Sequence, residues 1–380
     1  MESPRAADSF GSNLRVTPAG PKMIPRALVV RLGAMGDVLH ALPAVAMLRR
    51  ALPEARIGWV VERRWRELLC APGVDLAGPR GAGRPLLDEL HLVDTRSWRK
   101  RLLSPQTRRE FLDAIGAMRA RQYDAALDLQ GAIKSAVLAR LSGAKLVLGF
   151  RQPREPIARW FYGSLVDGRA IHVIEQNLEV VQTWLETLGL SRATATLQPG
   201  TALLPRHQAS QQRIDATLQS LGLAQSPIAI LNPGAGWGAK QWDPVHYGEL
   251  SIALAARGLR SVVNYGPGEQ TLARQVVAAS QGNAVELFSS ISELIALAHR
   301  SQLFVGPDTG PMHLAALLGV RTVALFGPTD PARNGPYWAG ASVLRDPASI
   351  TSYSHKRATD PGLGNITVGR VLAEIDLLLR

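Results

Sequence analysis

One cysteine, Cys70, stands among 380 residues. A lone thiol excludes an internal disulfide framework and a multi-cysteine zinc site. Cys70 is expected to be a small buried residue on a helix. Aromatic residues make up only 6% of the chain. They are not interleaved with the basic runs, so a stacking platform for single-stranded nucleic acid is missing. Apolar runs are short and interrupted, as at Ala27–Val30 and Ile228–Leu231. None approaches the roughly 20 residues of a membrane-crossing helix. Met1–Pro25 holds Ser, Pro, Gly and scattered Arg without a signal-peptide core, and reads as a disordered extension. These absences point to a cytoplasmic protein.

Apolar residues nevertheless reach 46%, enough for true cores, and the length suits two domains. The net charge is +12 and unevenly spread. Residues 1–200 carry 29 Lys and Arg against 19 Asp and Glu, whereas 201–380 carry 14 against 12. Only six of the basic residues are Lys. A proteome's preference for Arg accounts for that choice but not for the asymmetry. A basic surface on the first half attracts phosphorylated substrates, anionic headgroups or nucleic acid.

Short apolar strands alternate with amphipathic helices, the pattern of parallel sheets covered by helices. The first half predicts strands at Ala27–Leu32, Ile57–Glu62, Leu90–Asp94, Ala125–Gln130 and Lys145–Phe150. Helices are expected at Val38–Leu52, Pro105–Arg121, Ile133–Leu141 and Gln176–Leu188. A polar stretch, Ser191–Arg206, reads as a linker. The alternation then restarts with strands at Ile228–Asn232, Ser261–Tyr265, Val285–Leu287, Leu303–Gly306 and Thr322–Phe326. Helices Val245–Arg257, Gln270–Ala279, Ile291–His299 and Met312–Leu318 lie between and around them. A final amphipathic helix, Val368–Leu379, is expected to pack back on the first domain. The expected domains are 26–190 and 207–365, doubly wound and facing across a cleft, with residues 191–206 between them and 366–380 as the returning helix.

Ligands of such sheets bind beyond the carboxyl ends of the strands, where the glycine-rich loops lie. Gly33-Ala34-Met35-Gly36-Asp37 lacks the Gly-x-Gly-x-x-Gly pattern of a dinucleotide site, which argues against a dehydrogenase. Asp37 reads either as a helix cap or as a general base. Asn232–Trp242 contains three glycines, whose neighbouring amides can bind phosphate oxygens, and Lys240, a point charge for a diphosphate. Gly306–His313 opens a helix whose start suits an anion, with Asp308 and Thr309 as alternative caps and His313 one turn inside. Glu269, after Gly266-Pro267-Gly268, suits a ribose hydroxyl or the first turn of a helix.

Several ordered motifs then resemble one family. They are Met35-Gly36-Asp37-Val38-Leu39-His40, Trp98-Arg99-Lys100, Asp128-Leu129-Gln130-Gly131-Ala132-Ile133-Lys134-Ser135, Arg154-Glu155-Pro156, Asp308-Thr309-Gly310-Pro311-Met312-His313 and Gly327-Pro328-Thr329-Asp330-Pro331. Together they are similar to glycosyltransferase family 9, and within it to the ADP-heptose:lipopolysaccharide heptosyltransferases, the heptosyltransferase I branch above all. The likeness runs from about Ala27 to Trp338. The loop Asn232–Trp242 departs from that branch, which carries Thr near the lysine, and Met1–Pro25 has no counterpart.

The resemblance implies an α/β fold of GT-B architecture, with two Rossmann-like domains and inverting transfer without metal or cofactor. It implies ADP-heptose as donor and the Kdo sugar of lipid A as acceptor. Asp37 matches the family's catalytic base. Lys240, Glu269 (or its neighbour Gly268), Asp308, Thr309, Gly310, Met312 and His313 match its donor site. Arg63, Arg64, Arg66, Arg99, Lys100, Gln130, Lys134 and Arg154 are candidates for an anionic acceptor. Peripheral attachment to the inner face of the inner membrane would suit the basic half, with Trp160, Phe161 and Tyr162 as interfacial contacts or core. Nucleic acid is not an expected partner. A different donor or acceptor sugar, a nucleotide-sugar epimerase or hydrolase on the same fold, and a non-catalytic nucleic-acid binder are the competing readings.

Overall fold

The computed structural model describes residues 24–101, 103–190, 200, 203–352 and 360–380. The extension expected over residues 1–25 lies outside them up to residue 23, as does most of the linker expected over 191–206.

Two six-stranded sheets organise the chain. The first half runs β1 (Arg26–Val30), α1 (Met35–Ala51), β2 (Arg56–Glu62), β3 (Glu89–Val93), α2 (Thr95–Lys100), α3 (Pro105–Arg119), β4 (Ala125–Asp128), α4 (Ile133–Leu141), β5 (Leu146–Phe150), β6 (Ser164–Val166) and α5 (Val173–Thr187). The second runs α6 (Gln208–Ser220), β7 (Ile228–Leu231), α7 (Pro244–Ala255), β8 (Arg260–Tyr265), α8 (Gln270–Ala279), β9 (Ala284–Phe288), α9 (Ile291–His299), β10 (Leu303–Pro307), α10 (Gly310–Leu317), β11 (Arg321–Phe326), α11 (Pro331–Asn334), β12 (Ala341–Arg345), α12 (Pro361–Gly364) and α13 (Val368–Leu378). Short 3-10 turns cover Arg63–Leu68, Pro156–Phe161 and Gly238–Lys240.

Every strand pairing is parallel. The orders are β3-β2-β1-β4-β5-β6 and β12-β11-β10-β7-β8-β9. Strand order reverses between β1 and β4 in one sheet and between β7 and β10 in the other. The loops leaving those four strands therefore flank the two crevices where doubly wound sheets bind ligands. The two halves are Rossmann-like domains of the GT-B type expected from the sequence.

Central strands read as unbroken apolar runs because helices cover both faces. β7 (Ile-Ala-Ile-Leu) is buried throughout, and so is β10. α9 begins with a capping box in which the Ser290 hydroxyl accepts from the Glu293 amide and the Glu293 carboxylate accepts from the Ser290 amide. One apolar cluster joins the halves: α1 residues Leu39 and Leu42 share it with Leu294, Ile295, Leu314 and Leu317 of α9 and α10.

Two expectations are corrected. α13 does not return to the first half. Its buried residues Val371 and Ile375 pack with Tyr247, Leu325 and Leu344 of the second half, and Asp376 on its outer side pairs with Arg257 of that half at 2.9 Å. Cys70 is fully buried, as expected, but lies just past the 3-10 turn rather than on a helix.

α1 starts at Met35, three residues earlier than the apolar period suggests. Gly36 then sits in its first turn, where a Cβ would come within 2.7 Å of the His313 ring. A Cβ on Gly310 would meet the Met35 side chain at 2.4 Å. Two helix starts from opposite halves thus touch, each with a glycine that makes room for a side chain of the other. Gly36→Ala should therefore destabilise the chain by about 1–3 kcal/mol, as overpacking does. Gly116→Ala, on an open stretch of α3 with nothing within 4 Å, should stabilise it by about 0.5–1 kcal/mol. Thermal or urea unfolding of both variants checks this, and equal effects would refute the close approach.

Candidate functional site

Asp37 occupies the third position of α1. Its Oδ2 accepts from the Ala34 amide at 3.0 Å, so the carboxylate does cap the helix, though from within it. Its Oδ1 meets Arg31 Nη2 at 2.9 Å. Arg31 is itself buried at the end of β1 and also donates to the Leu129 carbonyl. Each Asp37 oxygen is thus held by one donor, and an ionised carboxylate has about four acceptor positions. Capacity for a further proton remains, and the side chain stays about one-third exposed, at 34%.

On the second half, Asp308 follows β10 and is 6% exposed. Its Oδ2 accepts from Lys240 Nζ at 2.6 Å and from the Thr329 hydroxyl at 2.7 Å. Its Oδ1 is 3.0 Å from His313 Nε2. Lys240 also donates to the Asp308 carbonyl at 3.0 Å. Burial pushes the Asp308 carboxyl up, but the His313 hydrogen bond and the Lys240 charge outweigh it and hold it well below the usual carboxylate range. Neither Asp308 nor Thr309 caps α10: the Thr309 hydroxyl turns to the Pro307 carbonyl, and no side chain caps that helix. The first-turn amides of Gly310 and Met312 have no intrahelical partner, and Pro311 has no N–H. Met312 offers only its backbone, since its side chain is fully buried.

The turn after β7 is tied down from several sides. Asn264 donates to Asn232 Oδ1 at 2.7 Å, and Asn232 Nδ2 to the Gly234 carbonyl at 3.2 Å. Glu269 accepts from the Gly266 amide at 2.9 Å and lies against Gly234, where a Cβ would meet its carboxylate at 2.3 Å. The absence of a side chain at Gly234 is what lets the carboxylate approach the turn that carries Lys240. Gly268, its neighbour, offers no side chain.

The acceptor candidates all follow strands of the first sheet at their carboxyl ends, the same edge as Asp37. Arg63, Arg64 and Arg66 follow β2, Arg99 and Lys100 end α2 after β3, Gln130 and Lys134 follow β4, and Arg154 follows β5. Arg63, Arg64, Arg99, Lys100, Lys134 and Arg154 are exposed. Arg66 turns inward to the Val74 carbonyl at 2.8 Å, and Gln130 Oε1 accepts from the Leu32 amide at 2.8 Å. Those two side chains are engaged in holding loops. Tyr162 also turns in and donates to Asp128 at 2.7 Å, whereas Trp160 is 76% exposed.

Sequence reasoning missed Arg31, Thr329, Asp128 and the role of His40. Asp128 is fully buried and accepts from Ser135, Tyr162 and the amides of Gln130 and Gly131, which shapes the loop after β4. A polar residue closing an otherwise apolar strand was the available signal for Arg31 and Asp128. Among the described residues, no three His, Cys, Asp or Glu side chains are grouped to hold a metal ion, and no helix is long and apolar enough to cross a membrane.

A family model for glycosyltransferase family 9 (heptosyltransferase) matches residues 112–360. The chain is 29% identical over 333 residues to lipopolysaccharide heptosyltransferase 1 of Escherichia coli, which covers 86% of this chain and 93% of that protein. To lipopolysaccharide heptosyltransferase 1 of Pseudomonas aeruginosa it is 28% identical over 324 residues, 82% of this chain and 81% of that one. Among solved structures, E. coli heptosyltransferase WaaC with ADP aligns with a TM-score of 0.73 at 27% identity, over 93% of this chain and 99% of that chain. A glycosyl transferase family 9 structure from Veillonella parvula shares the fold, with a TM-score of 0.77 at 22% identity over 93% and 97% of the two chains.

Burial lowers the pKa of several histidines. His91 is lowered to about 4 by burial, with a smaller push from Arg121, and its Nε2 lies 2.7 Å from the Tyr123 hydroxyl. His40 and His172 are also lowered, by burial first. In the unfolded chain such groups take protons near pH 6.5. The unfolded state therefore binds more protons between pH 6.5 and 4, and stability rises with pH across that window and falls as pH drops. Lowered to about 4, His91 alone should remove about 2 kcal/mol between pH 7.5 and 5. Stabilities of the wild type and His91→Leu, taken at several pH values, should show the wild type losing about 2 kcal/mol relative to the variant between pH 7.5 and pH 5. Parallel profiles would count against a neutral buried His91.

Proposed function

The chain belongs to glycosyltransferase family 9, and from that premise we propose that it transfers heptose from ADP-heptose to the Kdo sugar of lipid A, with inversion, in lipopolysaccharide inner-core synthesis. The observation that carries the reading is the approach of two helix starts across the cleft. One presents Asp37, and the other adjoins Lys240 and the free amides of Gly310 and Met312. The relatives bearing the same chemistry by name, and the likeness to a transferase structure with ADP, support the donor.

In this reading the acceptor hydroxyl enters from the first half, and Asp37 takes its proton as the oxygen attacks the anomeric carbon. ADP departs from the opposite face, which inverts the configuration. Negative charge grows on the leaving diphosphate. Lys240 and the α10 amides are fixed before that charge appears, so they stabilise it without reorganising. Glu269 takes the ribose hydroxyls. The exposed set Arg63, Arg64, Arg99, Lys100, Lys134 and Arg154 meets the carboxylates and phosphates of the glycolipid, Arg by forked hydrogen bonds. The protein attaches peripherally to the inner membrane face. Trp160 and Ile157, 76% and 58% exposed on one short turn, reach the headgroup layer beside Arg159.

Calorimetry with ADP-heptose, ADP, UDP and GDP in EDTA tests the donor. Preference for the two adenine ligands is expected; preference for UDP or GDP would overturn the assignment. With Kdo-lipid A as acceptor, Asp37→Ala should lower kcat by about 10²–10⁴-fold, the usual worth of a general base, and leave ADP affinity unchanged within error. Near-normal turnover would remove Asp37 from the chemistry.

A further inference from the structure

His40 lies on α1, one turn beyond Asp37, and is 5% exposed. Its Nε2 is 3.1 Å from Nδ1 of His313 on α10, and their ring centroids are 4.2 Å apart, edge to face. The hydrogen bonds thus run from the first half into the donor site: His40, His313, Asp308, Lys240. The protons in this chain can be assigned by asking which groups are able to donate. An ionised Asp308 only accepts, so His313 Nε2 carries a hydrogen. If His313 carries that hydrogen alone, its Nδ1 is bare and accepts from His40 Nε2; if both ring nitrogens carry hydrogen, the direction reverses.

The remaining atom decides between the two possible directions. His40 Nδ1 is buried and has no hydrogen-bond partner. In the direction given it is a bare acceptor. In the reverse direction it would be a buried N–H without an acceptor, the costlier of the two. The groups around His40 disfavour its charged form. His172 stands 5.9 Å away at the start of α5, Arg31 lies at the end of β1, and His313 itself faces it; Asp308 alone acts in the other sense. Asn177 of α5 donates to the His40 carbonyl at 3.0 Å. The residue is therefore anchored at its backbone as well as its ring.

We propose that His40 is a positioning residue. Its Nε2–H satisfies the bare Nδ1 of the His313 tautomer that Asp308 imposes and so holds the His313 ring in place, and through Asp308 it fixes the direction of the Lys240 ammonium. The lysine then points correctly only while α1, which carries Asp37, is seated on α10. One contact registers the base-bearing half against the charge-stabilising half. This rests on the reading of Lys240 as the diphosphate contact.

Two substitutions and one spectrum test it. His40→Leu removes the donor, and His40→Gln keeps an N–H at similar reach. Leu should lower kcat with ADP-heptose by about tenfold to a hundredfold, the scale of a misplaced group, with acceptor KM little changed. Gln should recover most of that loss. Equal kcat for Leu and wild type would overturn the proposal, and so would Gln no better than Leu at equal thermal stability. Independently of turnover, imidazole ¹⁵N shifts of labelled wild-type protein should show His313 as the Nε2–H tautomer at neutral pH. In folded His40→Gln that tautomer should persist; the Nδ1–H form in the wild type would overturn the proposal even if His40→Leu fails to fold. A wild type that binds neither ADP nor ADP-heptose would fail the functional reading instead, and the tautomer would still decide whether the chain of hydrogen bonds exists.

Discussion

A carboxylate that has lost its water governs the donor half. Asp308 is 6% exposed, and an ion taken that far from solvent persists only when donors replace its hydration. Three side chains do so, from three segments remote in sequence: Lys240 from the turn after β7, Thr329 from the loop after β11, and His313 from α10. Each donor is fixed by the need to satisfy the same anion, and each carries its loop with it. The arrangement of the crevice between β7 and β10 follows from that requirement more than from apolar packing, which is indifferent to the direction of a lysine. Because the Asp308 carbonyl also accepts from Lys240, the ammonium is gripped by backbone and side chain at once.

The same need for satisfaction extends across the cleft. His313 has two ring nitrogens, and the one not used by Asp308 meets His40 of the other half. Such closeness requires glycine on both helix starts, since a Cβ on Gly36 or Gly310 would strike the opposing side chain. Around this polar seam the apolar cluster is continuous from α1 to α9 and α10. Further bonds cross nearby, from the Ser292 amide to Glu67 at 2.8 Å and from Tyr337 to Glu175 at 3.2 Å. The halves have the same strand order, so joining them at these helix starts sets one switch point opposite the other.

Much of this was legible in the residues, and the failures have physical causes. β7 and β10 were found because strands buried on both faces need unbroken apolar runs. α9 was read at Ile291–His299 from the alternation of strands and helices, and the structure gives it the same bounds. β6 and β12 were not. They are edge strands of three and five residues, and an edge strand needs no continuous apolar signal. α6 buries only Ser210, Ile214 and Leu218, and its polar surface hid the period. The start of α1 was placed too late because Gly36 argues locally for a loop, whereas its reason lies 277 residues away in His313. Of the site, the strand-to-helix loops could be read from order and glycine content. The pairing of Lys240 with Asp308 could not, because only the adjacency of β7 and β10 brings them together, and that of Asp37 with Arg31 depends on the path of the turn after β1, which no spacing rule sets.

The basic excess of the first half divides in two once burial is known. Arg84 is 2% exposed and donates to the Leu87, Gly78 and Pro79 carbonyls. Arg49 donates to the Leu86 and Ala55 carbonyls and pairs with Asp88 at 2.5 Å. Arg31 and Arg66 likewise close off loop carbonyls. A planar fork with five donors can satisfy several carbonyls at fixed angles, which a lysine ammonium on a flexible stem does poorly. These four arginines serve architecture, and at their positions the fork is a physical reason for Arg over Lys. Among the described residues the remaining basic side chains are largely exposed, and one group of them, Arg63, Arg64, Arg99, Lys100, Lys134 and Arg154, lies at the carboxyl edge of the first sheet. The charge asymmetry visible in the sequence therefore overstates the size of an anion-binding surface, while the topology says which of the exposed basic residues stand nearest the crevice that Asp37 faces: those that follow the strands of the first sheet.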